Sequence, residues 1–143
     1  MTITDNKNLL ALDVGSKRIG VASASLVTKL PQPLTTIDNT ADSIESLKAI
    51  IAQQPVAAIV IGLPRNLRGE DTEQTRLVKQ YGKEVASATG LPIYWQDEAL
   101  TSKQAEEELR SRNVRYNKGQ VDALAATYIL NDFLAEHREA ELQ

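Results

Sequence analysis

Three short segments of the sequence place acidic residues in apolar surroundings. Asp13 interrupts the apolar run of LLALDVG, Asp97 and Glu98 end the segment LPIYWQDE, and Asp122 lies in NKGQVDALAATYIL. A carboxylate inside a buried strand or helix face costs several kcal/mol unless hydrogen bonds or a cation compensate it. These segments are therefore the first places to look for chemistry.

Asp13 and Asp122 are both expected to point towards the interior. Asp13 ends an apolar strand, and Asp122 belongs to a helical stripe that must pack on a sheet. Two inward carboxylates repel each other unless a cation lies between them. Simpler roles stay open, since Asp13 could cap the following turn and Asp122 could interact with a helix dipole. The stripe contains Ala125, Ala126, Ile129 and Phe133.

The composition limits what such a cation could be. The chain has no cysteine and one histidine, His137, in its charged end. A zinc–thiolate site is excluded, and a Ser-His-Asp triad is disfavoured. Oxygen ligands favour Mg²⁺ or Mn²⁺. Because neighbouring residues of a strand point to opposite faces, only one of Asp97 and Glu98 can face a ligand crevice. A solvated strand end is the preferred interpretation of Asp97.

Basic residues lie close to each of these acidic segments. They could hold the phosphates of a nucleic acid if they meet at one edge of the sheet, although each one alone could be ordinary surface charge. The net charge of −3 and the pI near 5.2 exclude a globally basic nucleic-acid binder, but not a local basic patch. The three clusters are Lys17 and Arg18; Arg65 and Arg68; and Arg110, Arg112, Arg115 and Lys118.

The elements that must position these residues follow the order β-β-β-α-β-α-β-α-α. Strands are predicted over 9–14, 18–25, 30–37, 56–62 and 91–98. Helices are predicted within 38–54, over 72–89, over 101–112 and over about 119–136. Capping boxes are predicted for Asp42 with Glu45, Thr101 with Gln104 and Asn117 with Gln120. The order predicts an α/β fold with helices on both faces of a five-stranded mixed sheet, in which an antiparallel three-strand meander joins two parallel strands.

The length of 143 residues corresponds to one domain, 1–143, with flexible ends expected at about 1–7 and 137–143. The longest apolar run, VAAIVI, is far too short to cross a membrane. No secretory signal is visible, so we expect a cytoplasmic protein without membrane association.

Four motifs together resemble the YqgF family, which is described as Holliday junction resolvases or nucleases of pre-ribosomal RNA. They are LALDVGSKRIGVA, IVIGLPRNLRGE, DEALTS and NKGQVDALAATYIL, in that order, and the resemblance covers about residues 9–134. It implies a ribonuclease H-like fold. By position it implies that Asp13, Glu98 and Asp122 are the catalytic, metal-binding residues, and that two-metal phosphodiester hydrolysis is the reaction.

Two positions depart from the family pattern. The family often has Arg after the glutamate, where this chain has Ala99. Relatives of this fold often carry a fourth acid near the last one, but the residue three positions after Asp122 is Ala125. We expect these departures to weaken the hold on the substrate and the binding of one metal ion.

The resemblance favours a metal-dependent endonuclease that processes the 5′ end of pre-16S ribosomal RNA. A Holliday junction resolvase acting on branched DNA and a non-catalytic RNA-binding factor in ribosome biogenesis are the alternatives. A phosphotransferase is disfavoured, because DVGSKRIGVA resembles the first phosphate motif of actin-like ATPases but the chain has room for only one such domain. The chain is expected to be a monomer or a weak homodimer, and a resolvase would need two copies.

Overall fold

The computed structural model describes residues 7–66, 68–98 and 118–137, and at Lys118 and Gly119 it describes the backbone only. The predicted helix over 101–112 therefore lies outside the described residues. So do Ala99, Arg110, Arg112, Arg115 and Asn117. The described strands are β1 (Asn8–Val14), β2 (Arg18–Ser25), β3 (Gln32–Asp38), β4 (Val56–Pro64) and β5 (Ile93–Glu98); the described helices are α1 (Ser43–Ala52), α2 (Glu73–Thr89) and α3 (Lys118–Glu136).

The strands form one mixed sheet in the order β3-β2-β1-β4-β5. The pairs β1–β2 and β2–β3 are antiparallel, whereas β1–β4 and β4–β5 are parallel. The predicted meander followed by two parallel strands is confirmed. β1 lies at the centre because its side chains are apolar on both faces. β3 lies at the edge, where Pro33 is tolerated because an edge strand has neighbours on one side only.

The two faces of the sheet carry side chains of different size. One face is built from large aliphatic residues such as Leu12 and Ile61, and it packs on α1 and α2 through Leu47 and Val85. The opposite face is rich in alanine and packs on α3. Small side chains let the α3 backbone lie close to the strands, which decides where the residues of α3 meet the sheet. The second core consists of Leu9, Ala11, Ala22, Ala24, Leu26, Ala58, Val60, Ala126, Ile129, Leu130 and Phe133.

The starts of α1 and α2 differ. Thr72 caps α2, its side chain accepts a hydrogen bond from the Thr75 amide, and Gly90 ends the helix with a positive φ of 71°. The predicted capping box of Asp42 and Glu45 is wrong, since the Asp42 side chain makes no capping hydrogen bond. With φ −92° and ψ 0°, Asp42 lacks the extended backbone that normally turns a capping side chain towards the helix amides.

Both ends of the described chain are held by the fold. The Lys7 carbonyl accepts a hydrogen bond from the Leu26 amide at 3.0 Å. The His137 ring stacks on Phe133 with the ring centroids 4.1 Å apart. Residues 1–6 and 138–143, most of the two ends expected to be flexible, lie outside the described ranges. None of the helices within those ranges combines the length and the hydropathy needed to span a membrane.

Candidate active site

Asp13 lies on the α3 side of the central strand. Leu9 and Ala11, the residues four and two positions before it, pack against α3, and side chains two apart on a strand share a face. Asp13 pairs across the sheet with Gly20 and is half-buried. The strand therefore delivers this carboxylate to the carboxyl end of β1, under the first turns of α3.

Glu98 reaches the same side of the sheet from β5. Tyr94 and Gln96, which share its face, both contact α3: the Tyr94 ring lies 5.4 Å from the Phe133 ring, and the Gln96 amide donates to a Glu136 carboxylate oxygen at 3.1 Å. The Glu98 carboxyl group is hydrogen-bonded to that of Asp132. Its Oε1 atom is buried and has no hydrogen-bond partner among the described residues. The described residues thus leave part of this carboxyl group without a compensating donor.

The surroundings of Glu98 strongly disfavour its charged form. Burial is the largest cause, followed by the hydrogen bond to Asp132 and by the negative charges of Asp132, Glu136 and Asp13. Together they raise the pKa of Glu98 to about 9. Without a bound cation, a pKa this high keeps Glu98 protonated at neutral pH.

Asp122 approaches the site from α3, and a cation already contacts it. Its Oδ2 accepts a hydrogen bond from Arg18 Nε at 2.6 Å, and the two side chains are 18% and 33% exposed. The sequence predicted that Asp122 points to the sheet, and the stripe that it shares with Ala125, Ala126 and Ile129 is buried. It did not predict that Arg18 would neutralise it.

Gly20 makes this approach possible. A Cβ atom at Gly20 would lie 1.9 Å from the carbonyl oxygen of Asp122, so only glycine lets the α3 backbone rest directly on β2. Gly20 is also the residue paired with Asp13. One glycine therefore brings the chain segments of Asp13 and Asp122 together, although they are far apart in sequence.

The donor chemistry around Glu98 fits a hard divalent cation. A buried carboxyl oxygen that no described residue hydrogen-bonds, next to a second carboxyl group, is an environment that Mg²⁺ or Mn²⁺ would stabilise. Within residues 7–66, 68–98 and 118–137, however, no group of three or more acidic or histidine side chains is arranged to hold a metal ion. The predicted set of Asp13, Glu98 and Asp122 is thus placed on one face of the sheet, but is not assembled into a closed site.

Asp97 lies on the opposite face of the sheet, in agreement with its interpretation as a solvated strand end. It is exposed, and its Oδ1 accepts a hydrogen bond from Arg65 Nε at 3.0 Å. Arg65 also pairs with Asp71, which accepts a hydrogen bond from Lys79 at 3.2 Å. Asp97 is the largest cause of the raised pKa of Arg65, so this guanidinium is already neutralised by acids.

Of the other predicted phosphate-binding residues, Lys17 and Arg68 are exposed, and the side chains of the rest lie outside the described residues. Lys17 is exposed in the turn after β1. Arg68 is exposed in a loop organised by Asn66, whose Oδ1 accepts hydrogen bonds from the amides of Arg68 and Glu70, each at 2.9 Å. The side chain of Lys118, like Arg110, Arg112 and Arg115, lies outside the description.

Asp132 and Glu136 are the acidic residues that sequence reasoning missed. A signal was present, because Asp132 continues the buried stripe of Ala125 and Ile129 by three residues and Glu136 extends it by four more. The predicted stripe ended at Phe133, and no acid near the end of α3 was considered. Asp132 and Glu136 therefore add two carboxyl groups to the face of α3 that packs on the sheet.

Comparisons with known proteins bear on this arrangement. Residues 7–136 match the family model described as RuvX: Holliday junction resolvase. A protein of Crocosphaera subtropica named "Putative pre-16S rRNA nuclease" is 41% identical over 133 residues, which are 90% of this chain and 93% of that protein. Proteins of the same name from Rickettsia canadensis and Gloeothece citriformis are 40% and 39% identical, cover 90% and 93% of this chain, and are covered over 86% and 91% of their own lengths.

One solved structure carries the fold comparison. Thermus thermophilus RuvC in complex with a Holliday junction substrate superposes with a TM-score of 0.54 at 17% identity, covering 91% of this chain and 95% of that one. This likeness supports the ribonuclease H-like fold expected from the sequence. The family match spans all the described elements and both of the acidic strand ends. The chain therefore belongs to the RuvX (YqgF) family of nucleases.

Proposed function

We propose that this protein is a metal-dependent endonuclease that hydrolyses phosphodiester bonds in structured RNA, with the 5′ end of pre-16S ribosomal RNA as its substrate. The observation that carries the proposal is the carboxyl group of Glu98. It is half-buried next to Asp132, has an oxygen without a hydrogen-bond partner among the described residues, and lies on the same sheet face as Asp13 and Asp122. The names of the curated relatives support the choice of substrate. Such a substrate places the activity in the cytoplasm.

Three groups of residues would have different roles in this reaction. Asp13, Glu98 and Asp122 would hold Mg²⁺ or Mn²⁺, and Asp132 orients Glu98 through their hydrogen bond. When bound, two such ions would supply a hydroxide at neutral pH and stabilise the leaving oxygen. Lys17, Arg18 and Arg68 would bind backbone phosphates beside the site, together with Arg65, Arg110, Arg112, Arg115 and Lys118.

Cleavage assays at low salt with Mg²⁺ or Mn²⁺ test this proposal. We expect Asp13→Asn and Glu98→Gln each to lower the cleavage rate at least about 100-fold, since each replaces a carboxyl group proposed to bind the metal. Asp97→Asn is the matched control, because it makes the same chemical change next to Glu98 but on the opposite face. Its rate should stay within about twofold of wild type, as expected for a change on the solvated surface. Equal rates in wild type and Asp13→Asn would contradict the proposal.

Comparing two substrates in the same assay distinguishes RNA processing from junction resolution and from non-catalytic RNA binding. The family description and the RuvC likeness favour a four-way DNA junction as the second candidate substrate. We therefore expect cleavage of a pre-16S RNA fragment and slower or no cleavage of a four-way junction. Cleavage of the junction alone would replace the RNA proposal with junction resolution. RNA binding that survives chelation of metal, without cleavage, would indicate a non-catalytic binding factor.

A further inference from the structure

The ion pair of Arg18 and Asp122 joins two residues that the proposed function assigns to different partners. Asp122 is a proposed metal ligand, and Arg18 is a proposed phosphate-binding residue. In this structure they bind each other, with Arg18 Nε 2.6 Å from Asp122 Oδ2. Because a guanidinium and a divalent cation compete for the same carboxylate oxygens, this contact opposes metal binding at Asp122.

The fold enforces this contact more firmly than an ordinary surface ion pair. The α3 backbone at Asp122 is seated on β2 at Gly20, two residues after Arg18 and on the same face of the strand. Asp122 is 18% exposed, so its charge is poorly screened by water. The backbone of Arg18 is also fixed, since its carbonyl accepts the Gly15 amide at 2.8 Å. Movement at this contact is therefore left to the Arg18 side chain.

Arg18 has a second acceptor available when substrate arrives. Its side chain is one-third exposed, and it follows the turn after Asp13. A guanidinium remains charged at any working pH and forms paired hydrogen bonds with phosphate as readily as with carboxylate. A backbone phosphate held close to Asp13 for cleavage would therefore compete with Asp122 for Arg18.

We propose that Arg18 is an exchangeable counter-ion which occupies Asp122 in the free protein and transfers to a substrate phosphate on binding. Asp122 is then more available to the metal when nucleic acid is present. Substrate and metal binding are thereby coupled, and each strengthens the other by the same factor. Arg18 acts as a positioning residue, through Asp122. The inference rests on the proposed function, because it requires both a metal and a nucleic-acid substrate.

Calorimetric titration with Mn²⁺ tests the exchange without relying on cleavage. We expect Arg18→Met, which keeps much of the side-chain stem but removes the charge, to bind Mn²⁺ about tenfold more tightly than wild type in the absence of nucleic acid, a coupling of ordinary size. Arg76→Met is the matched control, because Arg76 pairs with Glu73 on the exposed surface of α2. Its Mn²⁺ affinity should equal that of wild type. Equal affinities in Arg18→Met and wild type would overturn the proposal.

A second titration needs no Arg18 variant and so does not depend on that variant folding. Wild type saturated with a phosphorothioate RNA hairpin bearing 2′-O-methyl riboses should bind Mn²⁺ about tenfold more tightly than wild type alone. Asp122→Asn with the same hairpin corrects for Mn²⁺ bound by the RNA. No gain in wild type over this blank would overturn the exchange.

The outcomes separate this inference from the function on which it rests. Mn²⁺ binding that Asp122→Asn weakens, with Arg18→Met equal to wild type, overturns the role of Arg18 and keeps the metal site. Absence of Mn²⁺ binding in wild type and in Arg18→Met overturns the metal site, and the exchange with it. Tighter binding in Arg18→Met together with the hairpin effect supports both.

Discussion

Glu98 is the residue at which the chemistry of this protein is most visible. It is half-buried, bonded to Asp132, and flanked by the charges of Glu136 and Asp13. Asp97, its neighbour in the chain, is exposed and pairs with Arg65. Two adjacent carboxyl groups thus have opposite roles because the pleat of the strand turns them to different faces.

The raised pKa of Glu98 predicts how stability depends on pH without metal. The folded protein keeps the proton on Glu98 up to about pH 9, whereas the unfolded chain releases it near its ordinary pKa of 4.5. Between these values the folded state binds more protons, so its free energy of unfolding falls as pH rises. Solvent screening reduces the effect because Glu98 is only half-buried. Urea unfolding in chelator should still show wild type losing at least about 1 kcal/mol between pH 5 and pH 8.

Glu98→Gln should largely remove this dependence. The amide has no proton to lose in that pH range, so the variant is expected to be more stable than wild type at pH 8. Asp97→Asn should keep the wild-type slope, because Asp97 lies on the opposite face of the strand and the substitution leaves the surroundings of Glu98 unchanged. A slope in Glu98→Gln equal to that of wild type would show that other groups control the pH dependence.

At the scale of elements, α3 and the small residues beneath it decide where the acids meet. Gly20 and Gly62 both lie beneath α3, but they face different obstacles. A Cβ at Gly20 would meet the backbone of Asp122 at 1.9 Å, whereas one at Gly62 would meet the flexible end of the Ile129 side chain at 2.4 Å. The backbone of a helix cannot move away from an added methyl group as easily as the end of a side chain can.

Gly20→Ala should therefore be more harmful than Gly62→Ala. We expect a loss of about 3 kcal/mol for Gly20→Ala and about 1 kcal/mol for Gly62→Ala, the two ends of the range for overpacking. Urea unfolding of the two variants measures the difference. Similar losses would mean that α3 can shift along the sheet without penalty.

The loop between β4 and α2 separates two arginines with different expected roles. Arg65 is held by Asp97 and Asp71, while Arg68 is exposed in the turn organised by Asn66. A guanidinium neutralised by two carboxylates has less to gain from a phosphate.

Arg68→Ala should consequently weaken RNA binding more than Arg65→Ala. Losing one phosphate contact should lower the slope of log affinity against log salt by about 1 in Arg68→Ala. Fluorescence anisotropy over a salt series measures both variants. A larger loss of affinity in Arg65→Ala would show that Arg65 leaves its acids to bind the substrate.

At the scale of the whole molecule, the number of active sites bears on the substrate. A junction resolvase must cut two symmetry-related strands, which calls for two copies of the site. The large apolar residues exposed in the described structure are spread over different elements: Val27, Leu30 and Leu34 near β3, Leu77 on α2, and Tyr94 and Trp95 on β5.

Cleavage of the proposed RNA substrate does not call for two copies of the site, so we expect a monomer or a weak homodimer at micromolar concentration. Sedimentation velocity with and without a pre-16S RNA fragment checks this. A stable dimer, or a dimer formed on a four-way junction, would favour junction resolution instead.

The sequence by itself determined the sheet, its order of elements and the faces of its acids. The order of the elements predicted the antiparallel meander, the two parallel strands and helices on both faces of the sheet, because the periodicity that reveals each element is a local property of the chain. The same alternation separated Asp97 from Glu98, and the helical period directed Asp122 towards the sheet. The predicted capping box of Asp42 failed because backbone angles at a helix start depend on the preceding loop.

Only the tertiary structure decided which charges meet. The ion pair of Arg18 and Asp122 spans 104 positions in sequence, and it depends on a helix resting on Gly20. The bond between Glu98 and Asp132 depends on the angle at which α3 crosses the sheet. Such contacts follow from packing across the sheet, for which no local pattern exists. The tertiary structure therefore decided the partners of the acids, which the sequence had only turned towards the interior.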